Sequence, residues 1–374
     1  MNKDYDTKIC HISTVHAVKD IRIFYKECKS LSKAGYEVFY IVSHDRAELL
    51  DDIHVIPLPF PSSRLKRIIV HPLLALKESL KLKALIYHIH DPELLPIGWI
   101  LRIVGKKVIY DAHEHLAKDI LDKPWIQSRA ARKIVSFGAS FFEHLSVRVL
   151  SGVVGATSHI AAQFIPQKTA LVRNFPMLGF IAEVPRPSAR QDGKYTIVYT
   201  GGLTRIRGIV QMVAAMNHLP VDTELVLAGQ WEDNAIENEC MMNPGWSKCR
   251  YVGQIPQRDA YALMKGADLG ILTFLPAANH FEAMPNKAFE YLACGLPMVI
   301  SDFPYWKQLF GSNAQYVDPS DPVSIAQGIE QMLVKIRKEK KSSGNEKASV
   351  SVAFSWEAEE KVLLDFYRKL LQQH

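Results

Sequence analysis

Two glutamates stand eight residues apart in FEAMPNKAFEYLACGLPMVISD, residues 281–302. Glu282 precedes an expected helix and Glu290 lies inside it. Pro285 fits the first helical turn and Gly295 the residue just past the end, with the apolar strand LPMVIS following at once. A helix N-terminus exposes N–H groups and carries partial positive charge, so it can hold a phosphate. A carboxylate in the loop beside it can accept hydrogen bonds from sugar hydroxyls, and one more than a turn later can reach a ribose. The segment YTIVYTGGLTRIRGIV, residues 195–210, reads as strand, glycine turn, basic residues and helix. Gly201 and Gly202 let backbone approach a ligand closely. Arg205 and Arg207 offer guanidinium forks that bind phosphate oxygens in pairs. As bare patterns, both segments also describe solvated side chains on an ordinary helix and turn.

The first half supplies HIHDPELLPIG and VIYDAHEHL, two strands that end on polar residues, where open α/β sheets bind ligands. Asp91 and Glu93 follow the first, and His113 ends the second. The loop STVHAVKDIRI adds His16, Asp20 and Arg22, and an Asp20–Arg22 ion pair would order it. His88-x-His90-Asp91 and Asp111-x-His113-x-His115 also put alternate residues on one strand face, as metal ligands require. A metal-dependent hydrolase using His88, His90, Asp111 and His113 is therefore the alternative class. Against it, the second half offers only His218, His280 and His374, none at a clear strand end.

The segment P-N-K-A-F-E-Y-L-A-C-G-L-P, with SDFPYWKQL downstream, resembles the E-x7-E region of retaining GT-B glycosyltransferases of family 4, the type that builds bacterial surface polysaccharide or lipopolysaccharide. Residues 195–210 resemble the donor-diphosphate loop of that family, with Arg207-Gly208 opening the helix. Gly202 departs from it, since many members carry arginine there, and the loop after the first strand lacks the common Gly-Gly pair. The resemblance implies an α/β chain of two Rossmann-like doubly wound domains facing across a cleft, with the last helix crossing back to the first. It implies transfer with retention from a nucleotide-diphosphate sugar to a sugar or lipid-linked acceptor, with no metal and no cofactor. Donor contacts then fall to Gly201, Gly202, Arg205, Arg207, Glu282, Met284, Asn286, Lys287 and Glu290. His113, Glu282 and Arg207 take the catalytic places, and His16, Asp20, Asp91 and Glu93 the acceptor side. A non-catalytic nucleotide-sugar-binding subunit would lack Glu282, Glu290 or His113, and all three are present.

These residues need a scaffold. Short runs rich in Val, Ile and Tyr, mostly without polar alternation, mark strands buried on both faces. They fall at Lys8–Thr14, Tyr36–Ser43, Ile53–Pro59, Ala84–Asp91, Lys107–Glu114 and Gly152–Thr157. The pattern restarts at Thr196–Thr200, Glu224–Ala228, Arg250–Gly253, Leu269–Phe274 and Pro297–Ser301. Helices are expected between them at Ile21–Ala34, Pro72–Leu82, Pro92–Val104 and Pro124–Leu150, then at Ile206–Asn217, Arg258–Lys265, Pro285–Cys294 and Pro322–Ile336. Such alternation predicts doubly wound domains. We expect an acceptor domain over 1–173 completed by a helix over 355–374, a linker over 174–194, and a nucleotide-sugar domain over 195–354.

The 374 residues suit two domains. The net charge of +6 divides into +8 over residues 1–173 and −2 over the rest. Five cysteines form no C-x-x-C pair, which disfavours a disulfide scaffold. The polar N-terminus and the lack of a long apolar run lead us to expect a cytoplasmic protein. Cations flank apolar residues at 63–69 and from Trp125 to Phe142, which suits the inner face of an anionic membrane. No nucleic-acid module stands out.

Overall fold

The structure is a computed structural model that describes residues 7–121, 128–187, 193–277, 280–341 and 352–373. The chain forms two compact units, Met1–Asn174 with Trp356–His374, and Phe175–Ser355. The expected helix start at Pro124, Trp125, most of the polar stretch after Arg337 and His374 lie outside the described residues or side chains.

The first unit is built on β1 (Lys8–Ile12), β2 (Glu37–Ser43), β3 (Glu48–Leu50), β4 (Ile53–Leu58), β5 (Ile86–Ile89), β6 (Lys107–Ala112), β7 (Gly152–Gly155) and β8 (Thr169–Leu171). The sheet order is β3-β4-β2-β1-β5-β6-β7-β8. Only the edge strand β3 runs antiparallel. The apolar runs are buried on both faces, completely so in β5 and β7. Chain direction across the sheet reverses between β1 and β5, and the crevice at such a switch point is the usual ligand site.

The helix after β1 spans 21–33, and its first eight residues, Ile21–Cys28, are wound in π register. Asp20 starts it by accepting from the backbone N–H of Arg22 and Ile23. The expected Asp20–Arg22 side-chain pair gives way to this cap, and the Arg22 guanidinium turns into the core. The helix expected from Pro72 begins eight residues earlier, at Arg64, because Ser63 caps it through Lys66 N–H. The last helix, Trp356–Gln372, packs on this unit. Trp356 Nε1 donates to Ser30 Oγ at 3.0 Å, and Glu359 pairs with Arg173 at 2.7 Å.

The second unit carries β9 (Tyr195–Thr200), β10 (Thr223–Ala228), β11 (Cys249–Tyr251), β12 (Leu269–Leu272), β13 (Met298–Ser301) and β14 (Ala314–Val317). All pairs are parallel, in the order β11-β10-β9-β12-β13-β14. Its switch point lies between β9 and β12. The stretch 174–194 is more than a connection: Leu178–Glu183 is helical, and Ile181 and Val184 enter the core of this unit. Lys265 ties it down by donating to the carbonyls of both.

Candidate functional sites

In the second unit, strand ends converge at the switch point. Gly201 follows β9 with φ of 143°, and Gly229 follows β10 with φ of 155°. A Cβ on Gly229 would stand 1.8 Å from Gly201 O, so only glycine permits this backbone crossing. Gly208, at φ 74°, touches the end of β12, where a Cβ would meet Thr273 O at 1.9 Å. Leu275 N–H donates to Ile206 O at 2.9 Å and joins the two loops. Three hydroxyls here, of Thr200, Thr204 and Thr273, are buried with no hydrogen-bond partner among the described residues. Buried hydroxyls are normally satisfied, so three together mark a place for a polar ligand.

The two candidate arginines part company. Arg205 is exposed, pairs with Glu239, and donates its backbone N–H to Glu232 Oε2 at 3.0 Å. Arg207 is half-buried and lies over the Phe274 ring at 5.7 Å. Its Nη1 comes within 3.4 Å of where a Cβ would sit on Gly201 and 3.2 Å of that on Gly202. The guanidinium thus occupies the space beside Gly202 that a larger residue would claim. Tyr199 OH donates to Gly202 O at 3.0 Å and fixes the turn.

The helix with the paired glutamates spans Asn286–Ala293, with Pro285 just before it. It ends in a Schellman motif: Leu296 N–H donates to Tyr291 O and Gly295 N–H to Leu292 O, both at 2.9 Å, with Gly295 at φ 65°. Glu282 is exposed in the preceding loop, which Trp306 Nε1 holds through Ala283 O at 2.9 Å. Met284 leans on the core, and Asn286 is exposed at the helix start. Lys287 and the buried Glu290 pair with each other at 2.7 Å, so a ligand must join or displace that pair.

In the first unit, Asp91 sits at the switch point. Its Oδ2 accepts from Ser13 Oγ at 2.9 Å and Thr14 N–H at 2.6 Å, while His16 Nδ1 stands 3.5 Å from Oδ1. Burial alone would raise the Asp91 carboxyl, but His16 and these donors outweigh it and draw it down to about 2. The same contact raises the His16 imidazole against the effect of its burial. Glu93 accepts from Thr14 Oγ1 at 3.1 Å and faces Arg67 at 3.4 Å. Asp20, the fourth acceptor-side candidate, is occupied in capping.

His113 ends β6 half-buried, with Nε2 3.2 Å from Asp111 Oδ2 and 3.3 Å from His90 Nδ1. Burial lowers its imidazole, with Arg22, His90 and His16 acting the same way against Asp111, so it stays neutral. Asp111 is fully buried and gripped by the Arg22 fork at 2.9 and 2.8 Å. That grip weakens the hydrolase alternative, since Asp111 is committed to a guanidinium. Behind it lie His11, His88, His90 and Glu27, all buried, with Tyr367 from the last helix. The sequence reading overlooked Glu27, His11 and Tyr367, and only the polar end of each apolar strand hinted at such a cluster.

Residues 194–335, a stretch within the second unit, match the family described as "Glycosyl transferases group 1". Two curated relatives align in part. An uncharacterized glycosyltransferase of Methanocaldococcus jannaschii is 25% identical over 183 residues, 48% of this chain and 46% of the relative. The O-antigen chain mannosyltransferase B of Escherichia coli is 28% identical over 144 residues, 36% of each. The aligned stretches thus span less than half the length of these curated relatives. Solved structures match almost end to end. Sucrose-phosphate synthase from Thermosynechococcus elongatus superposes with a TM-score of 0.76 at 18% identity, covering 98% of this chain and all of that one. Anabaena HepE in complex with UDP gives 0.71 at 14%, covering 97% and 100%. The two Rossmann-like sheets and these likenesses define a GT-B-type α/β fold.

Proposed function

We propose that the chain is a glycosyltransferase that moves a sugar from a nucleotide-diphosphate donor to an acceptor. The observation that carries this reading is the β9–β12 switch point, where Arg207, two glycines and three unpartnered hydroxyls meet in a glycosyl transferases group 1 domain. There Arg207 and backbone N–H groups would hold the diphosphate, with Arg205 available once freed from Glu239. Glu290 would take the ribose and Glu282 the sugar hydroxyls, and Met284, Asn286 and Lys287 would line the same site. Stabilising the leaving diphosphate is then the largest catalytic contribution, and no metal is needed for it. A neutral His113 can donate or accept a hydrogen bond near the reaction without adding charge. The transfer runs with retention, the leaving phosphate taking the acceptor proton.

The acceptor is a sugar or lipid-linked sugar of surface polysaccharide or lipopolysaccharide assembly, met by His16, Asp91 and Glu93. The match to an O-antigen mannosyltransferase supports this. No described helix is long and apolar enough to cross a membrane. Leu65, Ile68, Ile69 and Leu73 on one helix and Ile134, Phe137 and Phe141 on another are exposed beside Arg64, Lys66, Arg129 and Lys133. This supports peripheral docking on the cytoplasmic face of an anionic membrane. A thermal-shift screen of nucleotide sugars tests the reading. One of them and its matching nucleoside diphosphate should both raise Tm, and no response to any would overturn it.

A further inference from the structure

In the buried cluster of the first unit, hydrogen bonds join the histidines to each other and to Tyr367, but Glu27 stands outside them. Glu27 comes from the π-wound helix, His11 from β1, and His88 and His90 from the end of β5. Glu27 Oε2 stands 3.8 Å from His11 Nδ1, 3.8 Å from His88 Nδ1 and 3.9 Å from His90 Nε2. His11 Nδ1 and His90 Nε2 are 2.9 Å apart. One carboxylate oxygen is thus nearly equidistant from three imidazole nitrogens, each too far to hydrogen-bond to it. Four donors on a tetrahedral zinc ion at about 2.0–2.1 Å stand roughly 3.3 Å from one another, close to this spacing.

The charges point the same way. All four side chains are buried to within 2% of complete. Neither Glu27 oxygen has a hydrogen-bond partner among the described residues. Arg22 Nε approaches Glu27 Oε1 at 3.2 Å, but its fork is already engaged by Asp111. Oε2 stands apart from that fork, 3.8–3.9 Å from the three imidazole nitrogens. Two buried carboxylates sharing one guanidinium leave negative charge only partly compensated, and a dication removes that cost.

We propose that His11, His88, His90 and Glu27 bind one zinc ion as a closed structural site in the first unit. Four protein ligands leave no open position for water, which separates this site from a hydrolytic one. The outer contacts suit it. His90 Nδ1 lies 3.2 Å from Asp111 Oδ2 and His11 Nε2 3.4 Å from Tyr367 OH, so each ring can give its other N–H to an oxygen. The His11–His90 hydrogen bond and the 2.7 Å contact of His88 Nδ1 with Tyr367 OH yield on binding. A second trio, His90, Asp111 and His113, shares His90 and contains the committed Asp111, so it does not hold a second ion. The proposal revises the expectation of a metal-free chain while leaving the donor chemistry metal-free.

The test is metal content of the full chain, purified without chelator from cells supplied with zinc. Wild type should carry about one zinc per chain, and Glu27→Gln and His88→Ala should each lose it. Cobalt loaded in its place should give the visible bands of a tetrahedral site. Stripping zinc from wild type should lower Tm, whereas the same treatment should leave folded Glu27→Gln unmoved. Substoichiometric zinc in wild type, or full retention in Glu27→Gln, would overturn the proposal. Nucleotide-sugar binding, read separately in the second unit, tells its failure from failure of the proposed function.

Discussion

Arg22 holds Asp111 through two parallel hydrogen bonds, Nε to Oδ2 at 2.9 Å and Nη2 to Oδ1 at 2.8 Å, from helix to strand end deep in the first unit. A third donor group, Nη1, gives to Val172 O at 2.9 Å. Removing the cation leaves a buried carboxylate uncompensated beside His90 and His113. Arg22→Met should therefore destabilise the chain by about 3–5 kcal/mol. Adding Asp111→Asn should recover much of that loss, because the stranded charge disappears. Urea unfolding of both single variants and the double variant checks the coupling, and additive losses would contradict it.

Arg207 and Arg205 should separate in ligand binding. Arg207 packs on the glycine turn, whereas Arg205 is exposed and engaged by Glu239. A charge-assisted hydrogen bond lost to a phosphate costs about 1.5–3 kcal/mol, or roughly 10–100-fold in affinity. Arg207→Ala should lose that much for the donor that stabilises wild type, and Arg205→Ala only a few-fold, as an exposed pair implies. Calorimetric titration measures both, and equal losses would remove the distinction.

Two glycines with nearly the same backbone angle should respond differently to alanine. Gly105 has φ of 78° and open space where a Cβ would go. Gly208 has φ of 74° and Thr273 O at 1.9 Å from that position. Gly105→Ala bears only the left-handed strain, about 1–2 kcal/mol. Gly208→Ala must also move the β12 end and should cost about 3 kcal/mol or more. The difference, read from denaturant midpoints, measures the close approach.

Glu143 gives a pH-dependent test within the first unit. It is buried and accepts from Tyr110 OH at 2.9 Å. Burial raises its carboxyl, outweighing that hydrogen bond and nearby His144. A raised carboxyl means that the native state binds more protons than the unfolded one above the ordinary glutamate value, so its contribution to stability falls as pH rises. Glu143→Gln keeps an oxygen acceptor and removes the charge. It should be more stable than wild type at pH 7, and the gain should shrink toward pH 4. A constant difference across that range would refute the assignment.

The expected strands and most of the expected helices recur because their signals are local. Continuous apolar runs identify strands covered on both faces, and Gly295 carries its C-terminal turn in its own φ. Short edge strands such as β3, β8 and β14 escaped, since three or four residues hold too little pattern. The start of the helix at Arg64 escaped because Ser63 looked like part of a cationic stretch and Pro72 looked like a beginning.

The sequence by itself determined the alternation of strand and helix, the glycine turn after β9 and the helix that carries Glu290. These follow from side-chain shape, backbone angle and hydrophobic period, all set within a few residues. The tertiary structure alone decided that Arg207 rather than Arg205 lies against that turn. It alone turned Arg22 from Asp20 to Asp111, and joined Glu27, three histidines and Tyr367 in one buried cluster. Those meetings depend on sheet order and helix docking, which bring Arg22 to Asp111 across 89 residues and Tyr367 to His88 across 279.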